Sequence, residues 1–136
     1  MFTMQEGFPF KLYLLDEDAF SLAIYEQYFK NMQCSNVRLF DNLAPFVAAL
    51  CDSPQVVLMD YRTDPAKGLK ILTAVKRIIP NAYIVFITGR SGIMESLFSL
   101  KEGAFEYMIK EHDHGEQLEQ VLQRIYQTEL VAIKKP

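Results

Sequence analysis

The 136-residue sequence has no tryptophan, only two cysteines and two histidines, and no strong excess of either charge. Each scarcity excludes something. Cys34 and Cys51 share no metal-ligand spacing, and His112 and His114 stand in a polar stretch, so a zinc site is not expected. One disulfide could in principle join the cysteines, but in a chain half apolar they are expected to be reduced and buried. The formal charge of -3 gives no electrostatic footing for direct binding of nucleic acid or of an anionic membrane. No apolar run approaches the roughly 20 residues that span a bilayer. The opening MFTMQEGFPF lacks the basic, then apolar, pattern of a signal peptide, so the expected location is the cytoplasm. Internal repeats, low-complexity stretches and linkers are also missing.

What is present is a steady alternation of strand and helix signals. KLYLL (11–15), VRLF (37–40), VVLMD (56–60), AYIVFIT (82–88) and AFEYMIK (104–110) read as strands. Between them, Asp18 predicts the cap of a helix with Ile24, Tyr25, Tyr28, Phe29 and Met32 on one face. Asp41 is the expected cap of LAPFVAALC, with Pro45 in its first turn. GLKILTAVKRII (68–79) predicts an amphipathic helix turning Leu69, Leu72, Val75, Ile78 and Ile79 to the core. SGIMESLFSLKEG predicts a short helix ended by Gly103. Asp113 with Glu116 forms a capping box for a last helix reaching about Leu130. Strands that are continuously apolar, not alternating, belong to a parallel sheet covered on both faces. The expected fold is an α/β, open doubly wound parallel sheet of five strand–helix units. It forms one domain over 1–136, with a core of about 10–130 and tails at 1–9 and 131–136; the polar AIKKP end is a plausible junction to a longer protein.

The chemistry collects at the strand ends. The first strand ends in Asp16-Glu17, the third in Asp60, the fourth in Thr88 and the fifth in Lys110. In such a sheet the crevice beyond the carboxyl ends is where ligands bind. Carboxylates gathered there repel, and a hard divalent cation resolves the conflict. A carboxylate beside Mg²⁺ and a lysine is a suitable phosphoryl acceptor, because the cations neutralise the oxygens of the transferred group. Taken singly, each residue is an ordinary polar strand end; their joint placement carries the reading.

These segments resemble the receiver domain of two-component response regulators, which implies a flavodoxin-like (βα)5 sheet with strand order 2-1-3-4-5. YLLDEDAF is similar to the family's acidic pair, and VVLMDYRTDPAKGLKIL to its phosphoacceptor segment, with Gly68 eight residues after Asp60. YIVFITGRSG supplies Thr88 and the small Gly89, and EGAFEYMIK places Tyr107 three residues before Lys110. The resemblance implies phosphorylation of Asp60 by a histidine kinase or phosphotransfer protein. It implies Mg²⁺ (or Mn²⁺) held by Asp16, Glu17, Asp60 and the Arg62 carbonyl, with Thr88, Gly89 and Lys110 around the phosphoryl group. Tyr107 would be the switch aromatic, and Arg62 and Arg90 occupy positions that tune phosphoryl lifetime. It further implies output through the face of the fourth helix, fifth strand and fifth helix to an output domain or separate protein, and homodimerisation there, which exposed Leu97 or Phe98 would support. Slow self-catalysed phosphorylation and hydrolysis would not make the domain an enzyme.

The sequence departs from the family pattern in three places. Glu17 replaces the commoner Asp, Thr63-Asp64 with Pro65 replaces Met-Pro, and Glu111 follows Lys110 where proline is usual. A non-proline cis bond costs about 3 kcal/mol, so a trans Lys110–Glu111 peptide is expected. Asp64 reads as a solvated loop charge. Three rival readings are weaker. A pseudo-receiver would dock or dimerise without phosphorylation. A haloacid-dehalogenase-like phosphatase shares the Asp, Thr, Lys order, but Arg62 stands where it needs an acidic general acid. A nucleotide-binding domain would need a glycine-rich loop where the acidic cluster lies.

Overall fold

A computed structural model describes residues 7–111 and 114–134. Five parallel strands, β1 (Leu12–Leu15), β2 (Val37–Phe40), β3 (Val56–Asp60), β4 (Tyr83–Thr88) and β5 (Glu106–Ile109), form one sheet in the order β2-β1-β3-β4-β5. Five helices connect and follow them: α1 (Ala19–Asn31), α2 (Leu43–Ala49), α3 (Pro65–Ile78), α4 (Ile93–Lys101) and α5 (Gly115–Lys134). This is the parallel α/β sheet expected from the apolar strands, in the flavodoxin-like order that the resemblance implies.

The three central strands are buried on both faces, and side-chain alternation divides them between two cores. Leu12, Leu14, Val56, Leu58, Val85 and Ile87 face α1 and α5, where Tyr25, Phe29, Leu118, Leu122 and Ile125 pack on them. Tyr13, Leu15, Val57, Met59, Ile84 and Phe86 face the other way, against Phe46 of α2 and Leu72 and Val75 of α3. Fully burying such a side chain contributes roughly 1.5–3 kcal/mol, so both layers hold the central strands and fix their ends.

The Asp18 carboxylate caps α1, accepting from the N–H groups of Phe20 and Ser21. Several expectations need correction. Asn42, not Asp41, caps α2, its side chain accepting from the Ala44 N–H. The third helix begins at Pro65, three residues before Gly68, because Asp64 caps it through the Lys67 N–H; Asp64 is a cap and not a loose loop charge. Gly68 therefore lies inside α3, where a Cβ would strike Tyr61 and Phe86. Ile78 is exposed while Ile79 is buried, since the helix ends between them. β5 is shorter than 104–110, and α5 runs to Lys134, beyond Leu130. Asp113 and His112 lie outside the described residues. Phe8 is buried and edge-on to Phe10, so the core starts before residue 10. Cys34 is half-buried and Cys51 exposed, both as free thiols.

α4 is ended by Gly103, which holds φ at 110°. Its packing is inverted. Ser96 and Ser99 face inward with their hydroxyls donated to the Gly92 and Ser96 carbonyls, while Ile93, Met94, Leu97, Phe98 and Leu100 are exposed.

Candidate functional site

Parallel register brings the carboxyl ends of the central strands to one edge. Leu15 lies opposite Met59, Asp60 opposite Ile87, and Thr88 opposite Ile109. Asp16, Asp60, Thr88 and Lys110 therefore converge, as the strand-end pattern predicts. The Lys110 N–H donates to the Thr88 carbonyl at 2.6 Å, carrying the edge one residue beyond β5. The Lys110–Glu111 peptide is trans.

Asp60 is 5% exposed. Its Oδ2 accepts two hydrogen bonds, from Lys110 Nζ at 2.7 Å and from the Tyr25 hydroxyl at 2.8 Å. Lys110 Nζ also donates to Ser21 Oγ at 2.6 Å and stands 4.6 Å from the centre of the Tyr25 ring. Burial and the adjacent Asp60 charge push the Tyr25 hydroxyl well above its usual pKa, so it stays a donor. The ring of His114 meets Tyr25 and Tyr28 edge-on, and this residue of a polar stretch is buried.

On the other flank, Asp16 is 4% exposed. Its Oδ1 accepts from the Asp18 N–H at 3.0 Å, but Oδ2 is buried without a hydrogen-bond partner, and Lys110 Nζ is 4.0 Å away. Burial, reinforced by the charge of Asp60, raises the Asp16 carboxyl to about 6. Glu17 is exposed and turned to Lys67 Nζ at 3.4 Å. Asp16, Glu17, Asp60 and Arg62 line a cleft of about 410 Å³ with Asp64 and Lys67. Among the described residues, no three acidic, histidine or cysteine side chains already form a metal cluster. The donor set nevertheless fits a hard cation: a buried orphan carboxylate oxygen faces a second carboxylate, with Glu17 held away by one exposed ion pair.

Thr88 is fully buried and donates its hydroxyl to the Tyr61 carbonyl at 3.2 Å. Gly92 packs directly on it, since a Cβ there would come within 2.4 Å of Thr88 Oγ1. Gly89 has open space where its side chain would be. Tyr107 is half-buried against the α2–α3 core. Arg62 reaches Asp60 Oδ1 and Asp18 Oδ2, each at 3.6 Å. Arg90 grips Glu111 through Nε at 2.8 Å and Nη2 at 2.5 Å, joining the loops after β4 and β5.

Ser21, Tyr25 and Tyr61 were not among the expected site residues. Helical spacing assigns Tyr25 to the core, and its ring is there, but a buried phenol also needs a partner for its hydroxyl. Ser21 and Tyr25 are four residues apart and so share one face of α1. That shared face, starting one turn from Asp16, was the available signal.

A five-stranded open sheet in this order, with an acidic pair, a strand-end aspartate, a threonine and a lysine at its carboxyl edge, defines the class of receiver domains. Residues 12–123 match the family model for the response regulator receiver domain, and the chain belongs to that family. It is 27% identical over 118 residues to the DNA-binding transcriptional regulator NtrC of Proteus hauseri, covering 85% of this chain and 24% of that protein. It is 33% identical over 57 residues to the regulatory protein LuxO of Vibrio cholerae, covering 42% and 12%. The chain thus spans a quarter or less of these relatives. Among solved structures, a receiver domain protein from Clostridium thermocellum superposes with a TM-score of 0.77 at 22% identity, covering 89% of this chain and 98% of that one. NtrX from Brucella abortus gives 0.78 at 20%, covering 92% and 29%.

Proposed function

We propose that this receiver domain accepts a phosphoryl group on Asp60 from a histidine kinase or phosphotransfer protein, in an Mg²⁺-dependent step. The observation that carries the reading is the buried Asp60 carboxylate on Lys110, beside the unpartnered Oδ2 of Asp16. Receiver domains generally bind Mg²⁺ at this acidic pocket. Here Asp16, Glu17, Asp60 and the Arg62 carbonyl would hold it, and the cation would offset the charge of the incoming phosphoryl oxygens.

The chain's own residues do the rest. Asp60 attacks phosphorus in line, the bond from phosphorus to the donor breaks (P–N in a phosphohistidine, P–O in acetyl phosphate), and the leaving group departs with the electron pair. Lys110 follows the negative charge from the carboxylate to the phosphoryl oxygens. Thr88 exchanges its hydrogen bond to the Tyr61 carbonyl for one to the new group, and Gly89 leaves room beside it. Withdrawal of Thr88 frees volume that Tyr107 fills, a two-state repacking biased by one added charge. Arg62 and Arg90, at the rim, tune the lifetime of the acyl phosphate by screening it from water.

The inverted α4 supports output through the α4–β5–α5 surface, to an output domain or separate protein or to a second copy of the chain. Five exposed apolar residues on one short helix make a surface that water disfavours. Among the described residues no helix is long and apolar enough to cross a membrane; the proposed site of action is the cytoplasm. The domain acts as a phosphoacceptor and not as an enzyme on an external substrate.

Intact mass after incubation with acetyl phosphate tests the reading. Wild type should gain one phosphoryl group only with Mg²⁺ and lose it to hydroxylamine, while Asp60→Ala should gain none. A folded wild-type protein that neither takes up the group nor binds beryllofluoride would be a docking module instead.

A further inference from the structure

We propose that the Tyr25 hydroxyl is a brake on the phosphoacceptor: by holding Asp60 Oδ2 it slows phosphorylation and must let go for the O–P bond to form. The inference rests on the reading of Asp60 as the acceptor.

Oδ2 is the carboxylate oxygen on the Lys110 side, and Tyr25 and Lys110 occupy it together at 2.8 and 2.7 Å. Oδ1 instead has Arg62 Nε at 3.6 Å, and Arg62 is one of the residues lining the acidic cleft. With a cation held by the acidic residues, the oxygen beside Lys110 would be the one left to meet phosphorus. Lys110 can move with the charge, because it ends a flexible stem and gains new anionic partners. Tyr25 is different. It is fully buried on α1, stacked on Phe29 and crossed by His114, so its ring cannot follow.

A hydrogen bond to a charged carboxylate is among the stronger ones in proteins. When Asp60 attacks, its electron pair goes to phosphorus and the oxygen becomes an ester-like, neutral acceptor. The Tyr25 O–H keeps its proton throughout, and the donor's leaving group takes the electron pair of its broken bond to phosphorus. An interaction strong in the ground state and weakened in the transition state slows the step. Selecting for donors bound tightly enough to displace it is a physical use for such a contact.

Tyr25→Phe removes the oxygen and leaves the ring. The second-order rate constant for phosphorylation by acetyl phosphate in Mg²⁺, read by intact mass, should rise about tenfold, equivalent to about 1.4 kcal/mol. The melting temperature in the absence of Mg²⁺ should stay within a few degrees of wild type. An equal or slower rate in the variant overturns the brake, since a purely structural hydroxyl would lower stability without speeding the chemistry. In wild type, the Tyr25 hydroxyl-proton resonance should move when beryllofluoride binds, and an unmoved signal would also overturn it. If neither protein is phosphorylated and neither binds beryllofluoride, the acceptor reading of Asp60 falls and the brake falls with it. If both are phosphorylated at one rate, only the brake falls.

Discussion

The two flanks of Asp60 are built on different terms. Toward α1, Lys110, Ser21 and Tyr25 hydrogen-bond to one another or to Asp60 Oδ2, under aromatic cover. Toward the acidic loops, Asp16 keeps a buried oxygen without a partner, and Glu17, Arg62 and Lys67 meet opposite charges only at 3.4–3.6 Å in partly exposed positions. The first flank is complete in the protein alone; the second is left short of positive charge. The difference teaches where the domain stores its instability: on the side where a cation would supply what is missing.

The largest effect should come from breaking the complete flank. Lys110 is the buried cation between Asp60 and Asp16, at 2.7 and 4.0 Å. Lys110→Ala would strand two buried carboxylates, and removing one partner of a buried pair costs about 3–5 kcal/mol. Urea unfolding in EDTA should show a loss of that order, with Mg²⁺ recovering part of it. A loss below about 1 kcal/mol would mean that the carboxylates are far better solvated than their burial implies.

The incomplete flank should respond in the opposite sense. The Asp16 carboxyl sits near 6 in the fold against an ordinary 3.8, so between those values the folded protein carries a proton that the unfolded chain has released. Folding stability of the metal-free domain therefore falls as pH rises from about 4 to about 6 through this group. Asp16→Asn should flatten that slope and stabilise the metal-free protein at pH 7 by on the order of 2–3 kcal/mol. It should also weaken the stabilisation by Mg²⁺. A variant less stable than wild type at pH 7 in EDTA would show that Asp16 is satisfied without metal.

The sequence makes the complete flank only half legible. Continuous apolar strands give the parallel sheet, and the sheet alone brings Asp16, Asp60, Thr88 and Lys110 to one edge. Those residues stand out because charge directly after an apolar strand is conspicuous. Tyr25 does not stand out, because a tyrosine at helical spacing reads as core and its hydroxyl has no periodicity. The caps show the same limit: Asp41 and Asn42 are adjacent and equally able to cap, and only the chain path into α2 decides. Asp64 reads as a loop charge in the sequence until Pro65 is recognised as a good first residue of a helix. Ile78 and Ile79 differ by one residue at a helix end, where rotation between neighbours decides burial. Glu17 is the hardest case, since its rotamer answers to Lys67, a surface neighbour that no pattern links to it.

The smallest effect should come from the rim, outside both flanks. Arg90 and Glu111 form a two-pronged contact, yet their side chains are 79% and 55% exposed. Exposed pairs contribute about 0–1 kcal/mol and less in salt, because water already solvates both charges. A double-mutant cycle on Arg90→Ala and Glu111→Ala should give a coupling below about 1 kcal/mol that fades as ionic strength rises. The pair matters for stability only if it also orders the loops after β4 and β5, which carry Gly89 and follow Lys110. A coupling above about 2 kcal/mol, insensitive to salt, would establish that ordering. It would mean that Glu111 does with charge what a rigid proline after Lys110 does with its ring.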